Sequence, residues 1–241
     1  MSSAYPVSFT SKVNPVKPYK ISTSMGDISI AEVNLGEELT PKLIKKINRF
    51  FCDNFSKDTK DEHYMKYRTG TLLERKLSEA EFEKHYSDIF NNSELRDNTT
   101  LLLAKDSKNK IQGACLSSPY YEVPQSNKNT LWIDSLAVND MYRKEHIASE
   151  LLNTTLNVNK NSFTDAFLTG TIFAKGFYKR LGFKPLDRRN KAQKTVYDYL
   201  KSKRYDIPKY VIPFTKPLQK DKPRWYEVCA GIINKSLTQL Q

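Results

Sequence analysis

The stretch Leu131 to Leu152, LWIDSLAVNDMYRKEHIASELL, constrains the fold more than any other part of the chain. Thr130 to Val138 reads as a buried strand. After a polar turn, Ile147, Leu151, Leu152, Leu156 and Val158 recur on one helical face, which predicts a helix over 147–158. A strand feeding directly into a helix that starts on small residues turns unpaired backbone N–H groups and the positive end of the helix dipole outward. That arrangement suits phosphate. Arg143 and Lys144 add positive charge beside it. A strand at 163–168 and a helix at 171–181 follow, closing at Leu181-Gly182-Phe183, where Gly182 fits the left-handed position that ends a helix. Strand and helix in alternation imply parallel strands joined by a crossover.

Upstream, Ile28, Ile30 and Val33 predict a short strand. Thr40-Pro41 then opens a helix whose apolar residues, Leu43, Ile44, Ile47, Phe50, Phe51 and Phe55, fall at helical spacing. Ser78 and Glu81 form a capping box for a second helix. The apolar runs 100–104 and 111–116, joined by Asp106-Ser107-Lys108-Asn109, predict a hairpin. Further strands are expected at 183–186 and 210–214, with a basic segment at 191–203 between them. Residues 1–25, punctuated by Pro6, Pro15 and Pro18, read as an extended arm. Residues 26–218 read as one α/β domain, and 219–241 as a C-terminal amphipathic helix carrying Val228, Ile232, Ile233 and Leu237.

Composition narrows the class. Of the 241 residues, Cys52, Cys115 and Cys229 are scattered without CxxC spacing, which argues against a disulfide framework or zinc ribbon. Three histidines with no i,i+4 pair point to no metal. No run approaches the ~20 apolar residues of a membrane span, so the expectation is a soluble, cytoplasmic protein with no membrane partner. The net charge of +12 lies wholly in residues 171–241, which hold 17 basic and 5 acidic residues. An anionic partner at that end accounts for it, as does a lysine-rich soluble surface. Nucleic acid is disfavoured, because no zinc finger, RNP-type box or basic zipper is present.

Two stretches together resemble the GNAT N-acyltransferase superfamily. Its first motif is a strand ending in valine, then Arg/Gln-x-x-Gly-x-Gly/Ala and a Leu-rich helix; Val138, Arg143, Ile147, Ala148, Leu151 and Leu152 match it. Its second motif is Ala-x-x-x-Tyr-x-x-x-Gly-Phe, matched by Ala174, Tyr178, Gly182 and Phe183. The resemblance implies a mixed, mostly antiparallel sheet with splayed central parallel strands flanked by helices. It also implies acetyl-CoA as cosubstrate and direct attack of a primary amine on the thioester. Phe50-Phe51, the string IDSLAVNDMYR and Tyr197-Asp198-Tyr199 are most similar to the invertebrate arylalkylamine N-acetyltransferase branch, implying a small arylalkylamine acceptor. The alternatives are a protein or peptide amine, or a degenerate acyl-CoA-binding protein without catalysis. A monomer or homodimer is expected.

Two departures from the pattern stand out. The branch carries a catalytic Glu after its Phe-Phe, where this chain has Asp53-Asn54-Phe55-Ser56. His146 replaces the first glycine of the pyrophosphate loop, and Glu145 sets a carboxylate beside it. The resemblance assigns cofactor contacts to Leu136, Ala137, Val138, Arg143, Lys144, His146, Ile147, Ala148, Thr171 and Tyr178, with a backbone N–H of Leu136–Val138 facing the tetrahedral oxyanion. Tyr178 takes the family position for protonating the departing thiolate, although Ala174, Phe177, Tyr178 and Leu181 also form a core-like stripe. Asp134, read on one strand face with Trp132 and Leu136, is the nearest carboxylate for the amine proton, or a structural acid bonded to turn amides. Thr171 bonds to the pantetheine arm or caps the helix. Cys115 reads as a small apolar filler, and His63 and His85 as solvated. Tyr120-Tyr121-Glu122 follows the hairpin, near where an acceptor could enter.

Overall fold

The computed structural model describes residues 16–58, 84, 87, 90–91, 93–119, 130–187, 189, 194, 198 and 211–218. Among them, eight strands form one sheet: β1 (Tyr19–Thr23), β2 (Gly26–Glu32), β3 (Thr100–Lys105), β4 (Ile111–Pro119), β5 (Thr130–Val138), β6 (Asp165–Thr171), β7 (Lys184–Pro185) and β8 (Val211–Pro217). Their order is β1-β2-β3-β4-β5-β6-β8-β7. Only β5 and β6 run parallel, joined by the crossover helix α3 (Ile147–Asn159). Further helices among the described residues include α1 (Pro41–Asp58), α2 (Ser93–Asp97) and α4 (Lys175–Arg180). This is the mixed, mostly antiparallel architecture that the resemblance implies. No helix among the described residues is long and apolar enough to cross a membrane.

The run Leu101-Leu102-Leu103-Ala104 is buried at every position because helices cover both faces of the sheet. Leu101 and Leu103, with Ala114, Leu116 and Ala137, meet Ile47 and Phe51 of α1. Leu102, Ala104 and Cys115 point the other way, into a cluster with Ile147, Leu151, Leu152 and Leu156 of α3 and with Phe183 and Phe214. Gly113 lets α3 come close: a Cβ there would lie 2.8 Å from Ile147 Cγ2 and 3.0 Å from Leu151 Cδ1.

Local signals act as read. Thr40 Oγ1 accepts from the Leu43 amide at 3.2 Å, and Pro41 occupies the first turn of α1, where its missing N–H costs nothing. In the β3–β4 turn, Asp106 Oδ1 accepts from the amides of Lys108 and Lys110, each at 2.9 Å, and Asn109 takes a left-handed φ of 59°. One local reading changes. Tyr19–Thr23 falls in the segment read as an arm, yet it is the edge strand paired antiparallel with Gly26–Ile30. The expected Ser78 helix, the 225–237 helix, His63, His85, Tyr120-Tyr121-Glu122, Tyr197 and Tyr199 lie outside the described residues.

Candidate functional site

β5 and β6 pair only through Thr130–Trp132 and Asp165–Phe167. Beyond that, β6 keeps its ladder to β8 as far as Thr171, while β5 keeps its ladder to β4 as far as Val138. A wedge therefore opens between two adjacent strands, and the backbone of Leu136–Val138 on the side away from β4 borders it with no strand partner among the described residues. Trp132 stacks on Phe167 at the base, with ring centroids 4.7 Å apart.

The β4–β5 register slips at Asp134: Leu116 pairs with Ser135, but Ser117 pairs with Ile133. Asp134 is thus the extra residue of a β-bulge, and side-chain alternation reverses across it. Leu131, Ile133, Leu136 and Val138 all pack toward α3, whereas Ala137 packs toward α1. The expectation that Asp134 shares a face with both Trp132 and Leu136 fails for this reason. Its carboxylate accepts from Trp132 Nε1 at 3.2 Å and from Ser135 Oγ at 2.9 Å.

At the open end, β5 runs through a short 3-10 turn, Asp140–Tyr142, into α3. Tyr142 and Ile147 are buried, anchoring both ends of the turn Arg143-Lys144-Glu145-His146. Lys144 and His146 are left-handed, at φ 71° and 61°. His146 thus adopts the backbone that a glycine would adopt there, and its side chain is exposed. It caps α3 without a side-chain bond; the first intrahelical bond runs from the Glu150 amide to the His146 carbonyl at 3.0 Å. Among the described residues no acceptor meets the amides of Ile147, Ala148 and Ser149, so they point outward at the positive end of the helix. Arg143 is exposed and pairs with Asp140 at 2.7 Å, an exchangeable surface contact. Glu145 is turned onto the β1–β2 hairpin, where Ser24 donates to both carboxylate oxygens, and these bonds hold its carboxyl below the usual range.

Tyr178 lies across the wedge on α4. Its ring covers the backbone of Gly170, where a Cβ would fall 2.4 Å from Tyr178 Cε2. Phe177, Phe183 and Phe214 surround it, at centroid distances of 5.1, 6.0 and 5.4 Å. Burial pushes the Tyr178 hydroxyl well up, and the Cys115 thiol adds to the effect. Among the described residues that hydroxyl has no hydrogen-bond partner. Burial likewise pushes the Cys115 thiol up to about 12, despite a bond from Thr155 Oγ1 at 3.3 Å. A thiol buried in this way stays protonated, which suits Cys115 as a small apolar filler of the core. Gly182 ends α4 left-handed at φ 83°, with the Phe183 amide donating to the Tyr178 carbonyl at 3.0 Å. Thr171 makes no side-chain cap, which removes the capping alternative.

Leu136, Ala137, Val138, the 143–148 turn, Thr171 and Tyr178 are therefore brought to one wedge. Asp134 sits on the bulge within its β5 wall. Sequence reasoning missed Ser24, because a contact 121 residues distant leaves no local pattern. Among the described residues no three His, Cys, Asp or Glu side chains gather as metal ligands would.

Solved structures share this architecture. The PH1933 protein of Pyrococcus horikoshii OT3 is 13% identical with a TM-score of 0.53, the match covering 80% of this chain and 99% of that one. A histone acetyltransferase HPA2-related acetyltransferase of Corynebacterium glutamicum is 16% identical with a TM-score of 0.51, over 80% and 97%. No curated protein matches the chain in sequence. The sequence model of the acetyltransferase (GNAT) family, however, matches residues 62–183, half of the chain, and ends on Phe183, just beyond the glycine that closes α4. The chain belongs to the GNAT acetyltransferase family, whose members transfer acetyl from acetyl-CoA.

Proposed function

We propose that the chain N-acetylates a primary amine, with a small arylalkylamine as the acceptor class, by direct attack on the acetyl-CoA thioester. The observation that carries this reading is the wedge between β5 and β6 with the outward-facing amides of α3 at its open end. The pyrophosphate of acetyl-CoA fits those amides, with Arg143, Lys144 and His146 beside it. The pantetheine arm runs along the free edge of Leu136–Val138, within reach of the Thr171 hydroxyl. A backbone N–H of that edge then faces the oxyanion as the amine adds.

The amine must lose a proton before attack. Asp134, at the bulge, takes that proton directly or through water. An alkyl thiol is more acidic than a phenol raised above 10.0, so complete proton transfer from Tyr178 to the departing thiolate runs uphill. Tyr178 acts as a hydrogen-bond donor to the developing thiolate, and its raised pKa keeps it protonated for the task. The stacked Trp132–Phe167 pair at the wedge's base offers an aryl group an apolar wall.

Release of coenzyme A, followed with a panel of tryptamine-like amines and of peptides, tests the reading. Turnover with the amines supports it. Turnover with peptides alone replaces the acceptor class, and no binding of acetyl-CoA overturns the reading itself.

A further inference from the structure

Lys144 and His146 both hold left-handed backbones in one short turn. For residues bearing a Cβ this conformation is unfavourable, and it persists only where the surroundings over-determine it. The turn's two ends are fixed by buried Tyr142 and Ile147. Its middle is fixed by Glu145, which stands between the two strained residues. The Ser24 amide donates to Glu145 Oε2 at 3.0 Å, and the Ser24 hydroxyl donates to Oε1. The hairpin bearing Ser24 is itself tied to the domain. Tyr19 Oη bonds with Thr154 Oγ1 of α3 at 2.7 Å, Thr23 Oγ1 donates to the Gly26 carbonyl at 2.6 Å, and Ile28 and Ile30 are buried.

The geometry points to Glu145 and Ser24 as a latch, a pair of positioning residues that hold the 143–147 turn in its phosphate-receiving shape. Glycine does this through conformational freedom; here a carboxylate clamped to a distant hairpin does it by restraint. The sequence sets an anionic side chain where phosphate is expected, and the latch engages that charge with Ser24. The inference rests on the reading of the α3 start as the phosphate site.

Coenzyme A is titrated calorimetrically into the natural protein and into Glu145→Ala, Glu145→Gln, His146→Gly and the Glu145→Ala/His146→Gly double variant. Loss of the carboxylate weakens binding by about tenfold, since bonds to a charged acceptor are among the stronger kind. Glu145→Gln, which keeps one acceptor for the Ser24 amide, falls between. In the His146→Gly background the same loss shrinks to about threefold or less, because one strained residue is gone. Unchanged or tighter binding by Glu145→Ala overturns the latch, as does an equal loss in both backgrounds.

Amide exchange without ligand gives a second measurement. Ser24→Ala and Glu145→Ala should speed exchange at positions 145 and 150, whose amides donate to the Tyr142 and His146 carbonyls of the turn, while leaving the β3–β4 core protected, and unaltered exchange at both overturns the latch. If the natural protein binds no coenzyme A, the proposed function falls, and the exchange result still decides the latch.

Discussion

Tyr178 packs against the core and is also proposed to serve the site, and its helical stripe in sequence is equally true of each role. The ring is fixed by Phe177, Phe183 and Phe214 and by the bare backbone of Gly170, so its hydroxyl is held at a set place beside the wedge. Tyr178→Phe keeps all of that packing and removes one donor. The expected result is a fall in kcat of about 10- to 100-fold, with acetyl-CoA affinity within about twofold of the natural protein, read from steady-state rates and calorimetry. Equal losses in both would assign Tyr178 to binding alone. The pKa direction adds a second check. A phenol raised above 10.0 stays protonated through the physiological range, so no falling limb of the pH–rate profile below about pH 10 should vanish in Tyr178→Phe.

At the scale of elements, the strand at 130–138 is legible in sequence to the residue and the helix at 147 nearly so, because long apolar patterns with clear ends carry their own register. The bulge at Asp134 is not legible, since reading alternate faces assumes an unbroken period of two, and one inserted residue reverses every side chain beyond it. Asn54, standing where a glutamate is expected, is buried and spends its Nδ2 on the Phe50 carbonyl at 2.7 Å, a local bond that sequence does not announce. The close approach of α3 to β4 likewise depends on a single glycine. Gly113→Ala drives a methyl against Ile147 and Leu151 and should destabilise the protein by ~1–3 kcal/mol in denaturant melts, with weaker coenzyme A binding because α3 shifts. A loss below about 0.5 kcal/mol would mean that the helix yields freely. The hairpin–turn contact has a pH signature. The Glu145 carboxyl is held below its ordinary 4.5, chiefly by the bonds from Ser24, with His146 the charged neighbour that also lowers it. Its contribution is therefore complete above about pH 4.5 and is lost as pH falls through the depressed value. Coupling between Ser24→Ala and Glu145→Gln, measured by melting, should be present at pH 7 and diminish as pH falls below 4.5 through the depressed value.

At the scale of the whole molecule, charge and fold coincide. The first 170 residues are balanced, and the excess of +12 lies in the remainder, where α4 and the edge strand β7 carry exposed Lys175, Lys179, Arg180 and Lys184. None of these four has an ion-pair partner among the described residues, so their field reaches solvent unneutralised. If coenzyme A seats as proposed, its several phosphate charges meet this positive field, which raises its local concentration and favours the bound state. Such attraction is screened as the Debye length falls from ~10 Å at 0.1 M salt to ~3 Å at 1 M. Calorimetric affinity for acetyl-CoA should thus drop by about tenfold between 0.05 and 0.5 M salt. Acetyl-pantetheine carries the same thioester without the phosphates, and its weaker affinity should be flat over that range. Equal slopes for the two ligands would place the salt effect on the protein's own stability, and a flat slope for both would leave the basic end to some other anion.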